Sequence, residues 1–269
     1  MIDPNHHFNV VKLKDRIYSI QENISKIHPA YTNDPLNLYL LVGNNKALLV
    51  DTGCGISPLK PIVDQIIMEK ELVVVNSHAH WDHVLGNNEF NEVYIHENEA
   101  VVVSAPYNLS FFKYARVKHY ADRNYIIKPA KSIIKLKDGD IFELGGLNVK
   151  IIYSPGHSPG SICLLIDNNL LFTGDVAYYG DQFLSKKPPN PQILNTLSNL
   201  MDVCKENNVF ELFPSHRKTL CSRTLLSELY EGISNLKNLW HKRKTIDFFH
   251  SWIIKDDEND KFRYIIPKF

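Results

Sequence analysis

Residues 78–83 read His-Ala-His-Trp-Asp-His, which places four potential metal ligands within six positions. The segment follows residues 72–75, an apolar run typical of a strand that is buried on both faces. On an extended backbone His78 and His80 share one face, and a following turn can bring His83 back towards the same point. Neutral imidazole binds zinc and other borderline metals, and a carboxylate adds compensating charge. The segment therefore predicts a metal site where a buried strand ends.

Three more candidate ligands follow apolar runs later in the chain. His157 lies in Tyr-Ser-Pro-Gly-His-Ser-Pro-Gly-Ser, Asp175 in Leu-Leu-Phe-Thr-Gly-Asp-Val and His216 in Leu-Phe-Pro-Ser-His. Each residue alone would be an ordinary turn aspartate or an ordinary surface or core histidine. A rigid sheet that delivers several side chains from its strand ends is a common way to build a site. The set, rather than any one member, predicts a functional centre.

Strand-like and helix-like segments alternate in two blocks, each rich in strands first and helical afterwards. The pattern predicts two β-sheets face to face with helices outside, a single sandwich of the α/β class. No Pro/Gly/Ser-rich linker divides the chain, so we expect one domain over residues 1–269. Within it we expect a helical and aromatic insertion at residues 98–131 and a C-terminal extension after residue 217. The predicted helices cover residues 57–70, 192–207 and 223–240, and predicted strands include 9–13, 17–21, 36–42, 47–50 and 210–213.

Composition excludes several classes of protein. The 269 residues contain 30 basic and 30 acidic side chains, and a formal net charge of zero argues against bulk electrostatic binding of nucleic acid. Four scattered cysteines without a CxxC pair do not form a disulfide framework. The N-terminal stretch lacks the features of a signal peptide, and no apolar run is long enough to span a membrane. We therefore expect a cytoplasmic protein with neither a nucleic-acid nor a membrane partner, and its oligomeric state stays open.

The motifs HAHWDH, PGH, TGD and a late SH, in this order over about residues 36–216, resemble the metallo-β-lactamase superfamily. The resemblance implies that this sandwich is an αβ/βα sandwich of two mixed β-sheets, with a two-metal site along one edge of the two sheets. It also implies that Asp175 bridges the two ions and that Asp51 orients the ligand loop, although Asp51 could equally be a turn-stabilising aspartate. The implied ligands are His78, His80 and His157 for the first ion and Asp82, His83 and His216 for the second.

The ligand types resemble those of the glyoxalase II, lactonase and acyl-CoA thioesterase branch. Flavodiiron proteins have Glu at the position of His80, and zinc β-lactamases commonly lack a bridging carboxylate where this chain has Asp175. The implied cofactors are two divalent ions, with Zn²⁺ as the default and Fe or Mn as alternatives. The implied reaction is attack of a metal-bound hydroxide on the acyl carbon of a thioester, lactone or ester. Asp82 would orient the nucleophile or shuttle a proton.

Tyr178 follows Asp175 by three residues, as in related lactonases and thioesterases, where the phenol assists the carbonyl oxygen or the leaving group. A packing role for Tyr178 is the alternative. The aromatic residues around 107–125 could form an acyl-binding wall or part of the core. Lys186 and Lys187 could meet the phosphates of an acidic, coenzyme A-like substrate or could form plain charged surface.

Other functions remain compatible with these motifs. Glyoxalase II is a narrower candidate, but its basic glutathione-binding residues are not recognisable in the C-terminal part. A mononuclear iron dioxygenase acting on persulfides keeps similar motifs and would bind one iron. Nucleases of the superfamily are a third option, but they usually carry an added basic module, which a chain of zero net charge does not supply. The last alternative is a non-catalytic, metal-stabilised scaffold that binds a ligand.

Overall fold

The computed structural model describes residues 7–167, 169–256 and 260–268. The strands in these ranges are β1 (Asn9–Lys14), β2 (Ile17–Glu22), β3 (Leu36–Val42), β4 (Lys46–Val50), β5 (Glu71–Val75), β6 (Glu92–His96), β7 (Tyr107–Asn108), β8 (Ile126–Ile127), β9 (Ser132–Leu136), β10 (Ile141–Glu143), β11 (Asn148–Tyr153), β12 (Ile162–Ile166), β13 (Leu170–Gly174), β14 (Gly180–Phe183), β15 (Glu211–Pro214), β16 (Cys221–Ser222), β17 (Lys244–Ile246), β18 (Ser251–Lys255) and β19 (Phe262–Pro267). The α-helices are α1 (Lys60–Ile67), α2 (Trp81–Val84), α3 (Ala100–Ser104), α4 (Ser110–Tyr114), α5 (Pro191–Glu206) and α6 (Thr224–Leu239). Short 3₁₀ helices cover Ile24–Lys26, Asn87–Glu89, Ala121–Arg123 and Trp240–Lys242.

Two mixed sheets form the centre of the fold. The first has the order β1-β2-β3-β4-β5-β6-β9, antiparallel up to β4 and parallel from β4 onwards. The second has the order β10-β11-β12-β13-β15-β16, and only its β13–β15 pair is parallel. Alternate residues of both sheets, such as Val73 and Val75 in β5 and Ile162 and Leu164 in β12, meet in one buried cluster. This period of two is what a face-to-face sandwich requires.

Helices cover the outer faces of both sheets. Val63 and Ile67 of α1 pack with the outer residues of the first sheet. Residues of α5 and α6 pack with β12 and β13 of the second sheet, so the layers run helix, sheet, sheet, helix. The predicted αβ/βα sandwich is therefore confirmed.

Helix α1 is shorter than the predicted helix at residues 57–70, and both of its ends have a physical cause. The carboxylate of Glu89 accepts hydrogen bonds from the backbone N–H groups of Leu59 and Lys60, so the helix begins there. Met68 has a φ of 59°, which ends the helical backbone. Helices α5 and α6 match their predicted ranges to within one residue at each end.

The segment after residue 217 forms α6 and most of a third sheet, ordered β14-β19-β18-β17. Strand β14 belongs to the middle of the chain and pairs in parallel with β19. The single-domain organisation stays a prediction. Across the described ranges, every helix is too short or too polar to cross a bilayer.

The aromatic insertion at residues 98–131 divides into a buried part and an exposed part. Phe112 and Tyr120 are fully buried in the cluster beside the first sheet. Phe111 and Tyr114 are 48% and 86% exposed. The insertion therefore supplies both core and surface, and its exposed side chains lie near the functional site described next.

Candidate metal centre

The seven predicted ligands come together from four loops that follow strands. The segment containing His78, His80, Asp82 and His83 leaves β5 and enters α2, and His157 lies between β11 and β12. Asp175 directly follows β13, and His216 follows β15. Because β13 and β15 are parallel neighbours, their carboxyl ends deliver these last two side chains to the same place. All seven residues belong to close groups of potential metal ligands.

The first group consists of three imidazole rings. Nε2 of His78 is 3.0 Å from Nδ1 of His80 and 3.2 Å from Nε2 of His157. Nδ1 of His80 is 2.9 Å from Nε2 of His157. Nitrogen ligands that lie about 2.0–2.1 Å from one tetrahedral ion are separated by about 3.3 Å. The three nitrogens thus have nearly the spacing that a single ion needs.

The second group consists of Asp82, His83 and His216, and Asp175 lies between the two groups. Oδ2 of Asp82 is 3.7 Å from Nε2 of His83 and 3.6 Å from Nε2 of His216. Oδ2 of Asp175 is 3.7 Å from Nε2 of His157 and 3.3 Å from Nε2 of His216. Its other oxygen is 3.4 Å from Nε2 of His83. One carboxylate therefore faces rings of both groups.

Hydrogen bonds on the far side of the rings determine which nitrogen faces the centre. Nδ1 of His157 donates to the carbonyl of Phe183, and Nδ1 of His216 donates to the carbonyl of Asn33. A carbonyl can only accept, so both rings carry a proton on Nδ1 and, in the neutral form, turn an unprotonated Nε2 inwards. Such outer partners fix the tautomer and orientation that metal ligation needs.

Asp51 lies behind the ligand loop after β5 and contacts it through several hydrogen bonds. Its side chain is buried and accepts hydrogen bonds from the backbone N–H and the hydroxyl of Ser77, both at 2.7 Å. It also contacts Nδ1 of His83 at 2.8 Å. The Ser77 oxygen is 3.0 Å from Nδ1 of His78, so Asp51 reaches one ring of each group. These contacts favour the orienting role over a simple turn role.

The donor set fits divalent metal. Nε2 of His83 and Oδ1 of Asp175 are buried and lack a hydrogen-bond partner among the residues that the structure describes. Buried polar groups without partners are costly, and this cost is removed when they coordinate a cation. Imidazole with carboxylate suits zinc, iron and similar ions. The residues present therefore match a metal centre.

The electrostatics of the two groups differ. Burial lowers the pKa of His157 to about 3, and burial together with the neighbouring rings lowers the pKa of His78 well below its usual value. Burial also opposes protonation of His83 and His216, but the surrounding carboxylates, with Asp175 the strongest, together raise the pKa of both rings. Burial opposes ionisation of Asp175, yet the same two rings keep its pKa low. The histidines of the first group therefore have lowered pKa values, whereas those of the second group have raised ones.

Glu99 contacts two of the loops that carry candidate ligands. The sequence did not identify it as a residue of the site. Its carboxylate is buried and accepts a hydrogen bond at 2.9 Å from the backbone N–H of Ala79, between His78 and His80. Burial raises its pKa, while hydrogen bonds from Ser158, Ala79 and Gly160 oppose the rise. A Cβ on Gly160 would lie 2.7 Å from Cγ of Glu99, so glycine permits this approach. In the sequence, nothing distinguishes buried Glu99 from exposed Glu97 two positions earlier.

A cavity of about 270 Å³ opens over the centre. Its polar floor contains ligand side chains, including His80, Asp82 and Asp175, and its apolar walls include Trp81 and Phe249. The polar floor can hold a reacting group while the walls hold an apolar one. Lys186 and Lys187 are exposed between β14 and α5, and their contact with a substrate stays a prediction.

Tyr178 is fully buried, and it is absent from the residues that line this cavity. Its hydroxyl donates to the backbone carbonyl of Asp181, and its ring lies 5.1 Å from that of His216. Burial raises its pKa well above the usual value. A catalytic role for Tyr178 stays a prediction, and it would require this hydrogen bond to break.

The sandwich and the grouped ligands define a metal-dependent hydrolase fold. The family model described as "Metallo-beta-lactamase superfamily" matches residues 31–216, more than half of the chain. The protein belongs to this superfamily, whose members bind divalent metals.

Sequence and structure comparisons identify relatives along most of the chain. "Acyl-coenzyme A thioesterase MBLAC2" from Homo sapiens is 28% identical over 256 residues, which cover 87% of this chain and 89% of that protein. "Probable metallo-hydrolase YqgX" from Bacillus subtilis is 30% identical over 154 residues, which cover 54% of this chain and 67% of that protein. A metallo-beta-lactamase family protein from Thermus thermophilus superposes with a TM-score of 0.65 at 20% identity, covering 87% of this chain and 86% of that one. The last comparison supports the fold alone.

Proposed function

We propose that this protein is a dinuclear metal-dependent hydrolase that cleaves acyl thioesters of the coenzyme A type. The observation that carries the proposal is the arrangement of the seven side chains in two adjoining groups with Asp175 between them. His78, His80 and His157 would hold the first ion. Asp82, His83 and His216 would hold the second, and Asp175 would contact both. Zn²⁺ is the metal we expect.

Two divalent ions supply a nucleophilic water of lowered pKa and an electrophile for the scissile carbonyl. The chain's own contribution is to keep the ligands fixed and in the correct protonation state. Asn33 and Phe183 hold protons on Nδ1 of His216 and His157, and Asp51 orients His83. Because these partners are in place before substrate arrives, the centre needs little reorganisation during the reaction.

Asp82 is the residue best placed to move a proton. Its side chain lines the cavity, and one of its oxygens faces the rings of His83 and His216. A carboxylate at the boundary between ligand groups and cavity can accept a proton from attacking water and return it to a leaving group.

Two arguments support a thioester as substrate. The human relative whose name states thioesterase activity aligns with 87% of this chain. A thiol leaving group, with a pKa of about 8.5, departs without prior protonation, which suits a site whose phenol at Tyr178 is already bonded to a backbone carbonyl. Lactones and oxygen esters remain the next substrates to test.

The test is to measure metal content and hydrolysis on the same preparation. We expect two ions per chain and chelator-sensitive hydrolysis of acyl-CoA, with slower or absent turnover of lactones and p-nitrophenyl esters and no oxygen uptake. His216→Ala should lose one ion and most activity, whereas His241→Ala, a change at an exposed histidine, should retain both. One iron per chain with oxygen consumption would instead support a persulfide dioxygenase. Complete inertness of metal-replete protein would support a non-catalytic scaffold.

A further inference from the structure

A second cavity, of about 640 Å³, adjoins the one over the metal centre. Tyr31 and Phe249 line both cavities, so these two rings form the boundary between them. We call the second cavity the side groove. The insertion and the C-terminal segment build the rest of it, through Phe111, Tyr114, Ala115, Asp247, Phe248 and His250.

Aromatic contacts hold the boundary between the cavities in place. The ring of Tyr31, which is 9% exposed, lies 5.1 Å from that of Trp81, 5.6 Å from that of Phe248 and 5.4 Å from that of Phe249. These centroid distances lie in the range of favourable aromatic pairs. Packed rings therefore form the boundary between the metal centre and the side groove.

The chemistry of the side groove selects for hydrocarbon. Five of its eight lining residues are aromatic, one is alanine, and none of the eight is lysine or arginine. Its acidic side chain, Asp247, would repel a phosphate group. Phe111 and Tyr114 remain 48% and 86% exposed, and an apolar ligand that covered them would remove that surface from water. The volume lies in the ordinary range for small-molecule sites.

We propose that the side groove binds the hydrocarbon chain of the acyl group, so that chain length determines the rate of hydrolysis. This inference rests on the proposed thioesterase function and adds the binding site for the acyl chain. With the scissile carbonyl over the metal ligands, the chain passes over the half-buried ring of Phe249 into the side groove. The anionic leaving group then lies on the other side of the centre, away from Asp247.

The first test is the chain-length profile of kcat/KM for acyl-CoA substrates from four to sixteen carbons. A buried methylene increases affinity by up to about fourfold, so we expect a rise of about two- to fourfold per added carbon until the groove is filled. Ala115→Trp should narrow the groove and lower the ratio of long-chain to short-chain kcat/KM at least about tenfold. Val101→Trp, an exposed position that lines neither cavity, is the matched control and should keep the native profile.

A second variant and a binding measurement keep the two proposals separate. Phe111 is half exposed, so Phe111→Ala does not depend on repacking of the core, and it should lower the same ratio. Without any thioester present, dodecanoate should displace the fluorescent probe 8-anilinonaphthalene-1-sulfonate far better than butyrate does, and this difference should shrink in Ala115→Trp. Displacement of the probe without any hydrolysis would support binding of hydrocarbon chains in the side groove but would reject the thioesterase function. Hydrolysis with a flat chain-length profile would contradict the proposal that the side groove binds the acyl chain. An unchanged profile in both Ala115→Trp and Phe111→Ala would contradict it as well.

Discussion

Asp51→Asn tests whether the partners behind the ligands determine metal affinity. The substitution keeps the size of the side chain but removes its charge and one acceptor. Asp51 now accepts from the hydroxyl and backbone N–H of Ser77 and contacts Nδ1 of His83. Asparagine can satisfy the Ser77 backbone with its oxygen, but its NH₂ group then takes the place of Oδ2 and faces both the Ser77 hydroxyl and Nδ1 of His83. Opposite this donor, Nδ1 of His83 has to accept, so the neutral ring carries its proton on Nε2, the atom that should ligate.

The expected loss follows from these contacts. Replacing an outer partner of a metal-binding histidine typically costs about 10- to 100-fold in metal affinity, or roughly 1.4–2.7 kcal/mol. The loss should fall mainly on the ion bound by His83, because Asp51 touches that ring directly. A smaller loss is expected at the ion bound by His78, which Asp51 reaches only through the Ser77 hydroxyl.

The assay is competition for Zn²⁺ with a chromophoric chelator, which resolves two successive affinities per chain. Asp15→Asn is the matched control. The Asp15 side chain is 89% exposed in the turn between β1 and β2, and Asp15 is not one of the candidate ligands or their hydrogen-bond partners. Native-like affinity at both ions in Asp51→Asn would refute the argument that Asp51 orients the ligands. A uniform loss of thermal stability in metal-free protein, with unchanged affinities, would assign Asp51 to the turn instead.

The remaining predictions concern Glu99, the pH dependence of metal binding and Tyr178. Glu99→Ala leaves the Ala79 N–H without its acceptor and should weaken binding at the first ion about tenfold, whereas Glu99→Gln, which keeps an acceptor oxygen, should restore most of it in the same competition assay. The carboxylates around His83, with Asp175 the strongest, raise the pKa of that ring despite burial, so binding at the second ion should be accompanied by proton release and should strengthen as pH rises. His157, with its pKa lowered to about 3, should release none at neutral pH, and calorimetry in buffers of different ionisation enthalpy would separate the two ions. Tyr178→Phe should lower kcat if the phenol assists the reaction, and an unchanged kcat with a lower melting temperature would identify a packing residue, as its hydrogen bond to a backbone carbonyl suggests.

The sequence contained enough information for the sandwich and for the grouping of the ligands, because both depend on local patterns. The apolar run at residues 72–75 is the buried strand β5, and His78 and His80 do converge beyond its end. Alternation of buried residues and the periodicity of α5 and α6 likewise depend on near neighbours in the chain. Such features remain readable even when tertiary contacts are unknown.

Features that depend on distant contacts could not be read in this way. Glu99 matters because the fold brings its carboxylate to Ala79 and Gly160, twenty and sixty-one positions away in sequence. The shortening of α1 depends on Glu89, which lies beyond the next strand. The third sheet pairs β14 with β19, and short strands with few turn signals give no indication of such a partner.

The pairing of β14 with β19 has a practical consequence for work on this protein. Phe183, whose carbonyl holds the proton of His157, lies in β14, and β19 is the neighbour of that strand in its sheet. A chain cleaved by a protease ahead of β19 would keep every candidate ligand. It would lose the strand that pairs with β14 and so supports the hydrogen bond from His157 to Phe183. Low zinc content in an aged or degraded sample would then result from loss of the C-terminal segment. The intact mass of the protein should therefore be measured before low zinc content is attributed to insufficient metal in the medium.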